Sequence, residues 1–142
     1  MQKTMTIRGT VQPGRQLGRR LGFPTANLPL TDRDGVDGCR AAGVWVARIT
    51  IEKRGERYWG LVNVGRRPTV EPDAENGGGL CTAEAWLFDF DGDLYGCELR
   101  IELLHFLRPE RKFSSVEALR EAMEQDKIQA VDIIKNDDEY TL

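Results

Sequence analysis

Glu84 sits in TAEAWLF (Thr82 to Phe88), an otherwise apolar segment in which its immediate neighbours are small. A carboxylate there must find a partner, face a cavity or hold its proton more tightly than in water. Beside a substrate it could orient and deprotonate a hydroxyl; on an outward strand face it would simply be solvated. Both readings stand on the segment alone. A second group of chemistry-bearing residues lies in GRQLGRRLGFPTANLPL, from Gly14 to Leu30. Gly14, Gly18 and Gly22 can expose backbone N–H groups, and Arg15, Arg19 and Arg20 add positive charge, which is how a loop holds an anion such as phosphate. Pro24 then fixes the backbone. Thr25 and Asn27 offer a hydroxyl and an amide oxygen, hard neutral ligands of the kind that a phosphate-bound Mg²⁺ accepts beside its waters. The alternatives are a solvated basic loop and an ordinary proline turn.

Several other chemistries fail on spacing. The glycine-rich stretch is neither GxxxxGK[ST] nor GxGxxG, so a phosphate site here is built differently from a P-loop or a dinucleotide fold. Asp89, Asp91 and Asp93 in DFDGDLYG suggest calcium, but Gly92 comes fourth where an EF-hand needs its glycine sixth, and Arg100 holds the twelfth place. A tight hairpin around Asp91-Gly92 is expected instead. His105 is the single histidine, so no His-based triad or His-metal cluster can be assembled. Cys39, Cys81 and Cys97 form no CxxC pair, and three cysteines cannot all pair internally. They read as small core hydrophobes in a reducing compartment, with the cytoplasm as the expected location.

The elements that must carry these residues follow from patterning. Five segments rich in β-branched and aromatic residues recur: Thr6 to Val11, Gly43 to Ile51, Tyr58 to Val64, Thr82 to Phe88 and Cys97 to Leu107. No helical segment long enough for a crossover lies between them, so the sheet is expected to be antiparallel. Leu99, Ile101 and Leu103 alternate with Glu98, Arg100 and Glu102, as one buried and one wet face require. Five or six such strands suggest a small closed or nearly closed barrel. Ser114 and Glu117 form a capping box, and Val116, Leu119, Met123, Ala130 and Ile134 share a face. They predict one helix from about Ser115 to Lys135, packed on the barrel with Asp126 at the edge of its stripe. Glu71 to Gly79 reads as a surface loop.

With 142 residues, 40% hydrophobic and 30% charged, the chain suits one domain, and residues 136–142 are expected to form a flexible acidic tail. No apolar run is long enough to span a bilayer, and the first residues lack the apolar core of a signal peptide. A net charge of −3 argues against a nucleic-acid partner, whereas Lys3, Arg8, Arg15, Arg19 and Arg20 concentrate positive charge near the start. A small anionic ligand fits this distribution.

Taken in order, VQPGRQLGRRLGFPTANL, GVWVA, NVGRRPT, AEAWLFDFDGDLYG and LRPERKFSSVEAL make the chain resemble riboflavin kinase, over nearly its whole length. The resemblance implies a mainly β fold, a six-stranded antiparallel Greek-key barrel with a C-terminal helix. It implies transfer of the γ-phosphate of ATP to the 5′-hydroxyl of riboflavin, giving FMN and ADP, with Mg²⁺ or another divalent ion. Glu84 matches the catalytic base. Gly14, Gly18, Arg19, Gly22, Pro24, Thr25 and Asn27 match the phosphate-holding segment, with Thr25 and Asn27 also on the metal, and Asn63 lies near the nucleotide. Arg108, Glu110 and Phe113 match the loop that helps cover the flavin. The partners implied are riboflavin and ATP, acting on a cytoplasmic monomer without nucleic acid or membrane. Trp45, Val70, Trp86 and Ala122 stand where the family commonly has Tyr, an aromatic residue, His and Gln, changes that bear on flavin affinity and selectivity. The other reading from a different class is a flavin- or nucleotide-binding module that has lost turnover.

Overall fold

The computed structural model describes residues 5–12, 25–30, 42–67, 80–90 and 92–136, leaving aside the side chains of residues 66, 67 and 80. The chain divides into two compact units, Met1–Glu110 and Arg111–Leu142, each described by itself.

The first unit holds six strands: β1 (Met5–Thr10), β2 (Thr25–Pro29), β3 (Gly43–Ile51), β4 (Glu56–Arg67), β5 (Leu80–Leu87) and β6 (Glu98–Arg108). They form one antiparallel sheet in the order β1-β6-β3-β4-β5-β2. Only β3–β4 and β4–β5 join consecutive strands; the other pairings are long-range. The sheet curls until its two end strands approach each other. Gln12 N donates to Asn27 O at 2.8 Å, and a Cβ on Gly9 would lie only 3.2 Å from Leu28 Cβ. Curling puts alternate residues inside, and Ile7, Leu28, Ile49, Val62, Leu99 and Ile101 among others form a closed apolar core. Fully burying each such side chain contributes about 1.5–3 kcal/mol, so this core is the main stabilising term.

The sequence pattern located β3 to its ends, and Leu99, Ile101 and Leu103 are buried as their alternation requires. β2 carries no such pattern. Its five residues lie at one end of the sheet order, where Pro29, the last of them, leaves a missing N–H at little cost. The hairpin expected at Asp91-Gly92 is a correction. Asp91 lies outside the described residues, but the strands on either side, β5 and β6, are not partners. The connection between them places Asp89 at φ 60° and Gly92 at φ 141°, with Leu94 buried beneath it. The cysteine reading is corrected in part. Cys81 is buried in the core, as expected, but is disulfide-bonded rather than a free small hydrophobe; Cys97 is a free thiol.

The second unit contains helix α1 (Val116–Asn136). Ala118 N donates to Ser115 Oγ at 3.1 Å, so Ser115 rather than Ser114 caps the helix. Asp126 and Ala130 are buried, whereas Val116, counted on the apolar face, is 55% exposed. Among the described residues no helix is long and apolar enough to cross a membrane. The loop at 71–79 and the tail beyond residue 136 lie outside the described residues.

Candidate active site

The alternation that builds the core also builds the site. Ala26 and Leu28 of β2, Ala83 and Ala85 of β5, and Val62 and Val64 of β4 all enter the core. Thr25, Asn27 and Pro29, Thr82, Glu84 and Trp86, and Leu61, Asn63 and Gly65 therefore share the opposite face of three adjacent strands. Register then sets neighbours. Glu84 lies directly across from Asn27 on one side and Asn63 on the other. Continuing through Val44, the same row reaches Arg108 on β6. Four residues scattered over more than eighty positions of sequence thus fall on one line because the sheet is antiparallel and in this register.

Glu84 is half-buried, and Thr25 Oγ1 donates to its Oε1 at 3.0 Å. This bond uses the only hydroxyl proton of Thr25 and leaves its lone pairs available to a cation, while Asn27 offers an amide oxygen two residues along the same strand face. Trp86, across from Thr25, is buried and meets Phe88 edge-on with ring centroids 5.2 Å apart. Trp86 therefore gives the Thr25–Glu84 pair an apolar flank. Two oxygens on this face are buried without a hydrogen-bond partner, Asn63 Oδ1 and Thr82 Oγ1. Leaving such groups unpaired costs about 1–3 kcal/mol each, and binding sites are where that cost is recovered.

Of the residues expected from the sequence, Thr25, Asn27, Asn63 and Glu84 come together. Arg108 ends β6 half-buried, its Nη1 donating to Pro109 O at 3.2 Å. Glu110 reaches β4 itself: a Cβ on Gly65 would collide with both of its carboxylate oxygens. Phe113 belongs to the second unit, where the Arg111 guanidinium lies 4.7 Å from the centre of its ring. Gly14, Gly18, Arg19, Gly22 and Pro24 lie outside the described residues, as does Val70. Trp45 meets Phe106 edge-on at 5.3 Å, and Ala122 is half-buried on α1. Residue type alone does not mark Thr82 and Gly65; their signal is position, two residues from Glu84 and from Asn63 on the same strand faces.

The donor set suits a hard cation with phosphate. Thr25 retains oxygen lone pairs, Asn27 stands beside it, and Asn63 Oδ1 is an acceptor with nothing to accept. No group of three or more His, Cys, Asp or Glu side chains that could hold a metal by itself occurs among the described residues. The site thus combines one carboxylate, neutral oxygen groups and an apolar flank, a set able to meet both a phosphorylated ligand and a hydroxyl. Comparison with known proteins narrows that reading. The family model described as Flavokinase: Riboflavin kinase matches residues 1–134. An RNA-binding riboflavin kinase of Bacillus subtilis is 38% identical over 120 residues, covering 84% of this chain and 47% of its own length. The bifunctional riboflavin kinase/FMN adenylyltransferase of the same organism is 35% identical over 130 residues, covering 92% of this chain and 39% of its own. The chain thus spans less than half the length of either relative. A crystal structure of riboflavin kinase from Trypanosoma brucei has the same fold, with a TM-score of 0.67 and 23% identity over 95% of this chain and 82% of that one. The chain belongs to the riboflavin kinase family.

Proposed function

We propose that the chain transfers the γ-phosphate of ATP to the 5′-hydroxyl of riboflavin, giving FMN and ADP, with Glu84 as the base. The observation that carries this reading is the Thr25–Glu84 hydrogen bond with Asn27 and Asn63 on either side of Glu84. The riboflavin O5′ attacks the γ-phosphorus, the bond from that phosphorus to the bridging oxygen breaks, and the hydroxyl proton passes to a Glu84 carboxylate oxygen. Such a transfer needs little covalent chemistry from the protein. It needs alignment and charge neutralisation, and no intermediate on the enzyme.

Thr25 does two things at once in this reading. Its hydroxyl fixes one Glu84 oxygen, so the other is presented to the substrate in a single orientation, and its lone pairs face the phosphates. Thr25 and Asn27 would hold a Mg²⁺ or another divalent ion, which neutralises phosphate charge when bound. Gly14, Gly18, Arg19, Gly22 and Pro24 are assigned to the phosphates, Asn63 to the nucleotide side, and Arg108, Glu110 and Phe113 to the flavin. The partners are small molecules, riboflavin and ATP. The chain is taken to act as a cytoplasmic monomer, and its net charge of −3 favours action without nucleic acid.

The test is incubation with riboflavin, ATP and Mg²⁺ followed by chromatography of the flavins. FMN formation dependent on both ATP and the metal supports the reading. Flavin or nucleotide binding without FMN under any divalent ion leaves a binding module.

A further inference from the structure

Thr82 has no role in the chemistry above, yet its side-chain oxygen is one of the few buried polar atoms left without a partner. The residue is 7% exposed and Oγ1 meets no hydrogen-bonding group. It shares the face of β5 with Glu84, two residues away, which at the rise of a strand is about 7 Å along the sheet. Its neighbours across the sheet cannot serve it. On β2 it faces Pro29, and on β4 it faces Gly65, which has no side chain. The Glu110 carboxylate lies over that glycine, in the space a Cβ would take. Asn63 Oδ1, the other unpartnered oxygen, lies on β4 beside Glu84. Level with Glu84 this face carries the Asn63 amide oxygen on β4, and one step further it carries the Thr82 hydroxyl on β5 and, over Gly65, the Glu110 carboxylate.

The direction of this strip matters. Thr25, assigned above to the metal and phosphates, donates to Glu84 and lies across from Trp86, the residue of β5 on the far side of Glu84 from Thr82. In an in-line transfer the donor phosphates and the accepting alcohol approach the reacting phosphorus from opposite directions. An alcohol whose terminal hydroxyl meets Glu84 then extends its remaining carbons toward Thr82.

We propose that Thr82 is a specificity-determining residue that binds a hydroxyl of the substrate's polyol chain, Gly65 keeping the neighbouring space free of a side chain so that the Glu110 carboxylate can line the same strip. This inference rests on the kinase reading and names the part of the accepting substrate that the site recognises. A buried hydroxyl without a partner destabilises the free protein, and a polyol hydroxyl is able both to donate to Oγ1 and to accept from it. A substrate lacking the chain would leave Thr82 unpaired in the complex.

The decisive variant is Thr82→Val, which keeps the shape and removes the hydroxyl, with Thr82→Ser as the conservative control. Flavin fluorescence gives Kd for riboflavin and for lumiflavin, whose ring system carries no polyol, and thermal melting reports stability. The expected result for Thr82→Val is riboflavin binding weakened about 5- to 10-fold, from the net value of one neutral hydrogen bond. Lumiflavin binding and Tm should be maintained or raised, and the kinetic loss should fall on KM for riboflavin. Thr82→Ser should bind riboflavin within about twofold of the wild type, because the hydroxyl is restored. Unchanged riboflavin affinity in Thr82→Val, or an equal loss for both flavins, overturns the inference while leaving the kinase reading intact. A wild type that binds neither flavin overturns both. If Thr82→Val lowers Tm and both affinities together, Thr82 is structural and the inference fails.

Discussion

Replacing Glu84 by Gln separates chemistry from binding. The carboxylate accepts the Thr25 hydroxyl at 3.0 Å, and the glutamine carbonyl can accept the same hydrogen bond from the same place. What it cannot do is take up a proton. A positioned base contributes about 10²- to 10⁴-fold, which at 1.36 kcal/mol per tenfold is about 3–5 kcal/mol of transition-state stabilisation, and this is the loss expected in kcat. The structural cost is smaller. A hydrogen bond to a charged acceptor becomes one to a neutral acceptor, a change of about 1 kcal/mol. For a chain of this size that lowers Tm by about 3–5 °C. Affinity for riboflavin, read from fluorescence quenching, should stay within a few-fold, because the interaction removed acts mainly in the transition state. Turnover is measured as FMN formed at saturating ATP and Mg²⁺, on the same preparation used for melting. A mutant with near-normal kcat would remove Glu84 from the mechanism. Joint collapse of Tm and flavin binding would instead make Glu84 a structural partner of Thr25.

Other outcomes follow from neighbouring observations. Thr25→Ala removes both the bond that orients Glu84 and an oxygen available to a cation; the Mg²⁺ concentration needed for half-maximal activity should rise several-fold, and wild-type activity at low Mg²⁺ would reduce Thr25 to a strand residue. Gly60→Ala would press a Cβ against the Trp86 carbonyl oxygen and the Ile49 side chain, neither of which can swing away freely, so chemical denaturation should find a loss of about 1–3 kcal/mol. Gly65→Ala meets only the end of the exposed Glu110 side chain; stability should change by less than about 1 kcal/mol while flavin affinity falls as the carboxylate is displaced. Ser115→Ala should destabilise α1 by about 1 kcal/mol and Ser114→Ala by much less, a difference that thermal melting of the two variants can measure.

Much of the barrel is legible in the sequence because burial imposes a period of two. Leu99, Ile101 and Leu103 show it openly, and β3 is recognisable from its run of β-branched residues even though several of them are buried on both faces. What resisted was pairing. Turn chemistry at Asp89 to Gly96 announces a change of direction, but nothing local says which strand comes next to β5, and the answer, β2, is more than fifty residues earlier. β2 was hidden for a related reason: five residues with a terminal proline carry too little alternation to outweigh a turn-like composition. The site shares this limit. Thr25, Asn27 and Glu84 are individually suggestive as residue types, and the family resemblance joins them, but the row from Asn27 through Glu84 to Asn63 depends on register, which no single segment encodes. Ser115 displaced Ser114 as the cap because adjacent serines are equivalent until the first turn is fixed. Cysteine spacing without a pair motif says nothing about proximity in space, so the Cys81 disulfide is not legible in the sequence.

The central claim is that this face of the sheet moves the terminal phosphate of ATP onto the riboflavin hydroxyl. The direct measurement is to supply ATP labelled in the γ-phosphate together with riboflavin and Mg²⁺, then separate flavins and nucleotides and follow the label. The account predicts labelled FMN and unlabelled ADP in equal amounts, with the signal falling about 10²-fold or more in Glu84→Gln. Label released as inorganic phosphate without labelled FMN, or no consumption of ATP while riboflavin remains bound, would contradict it.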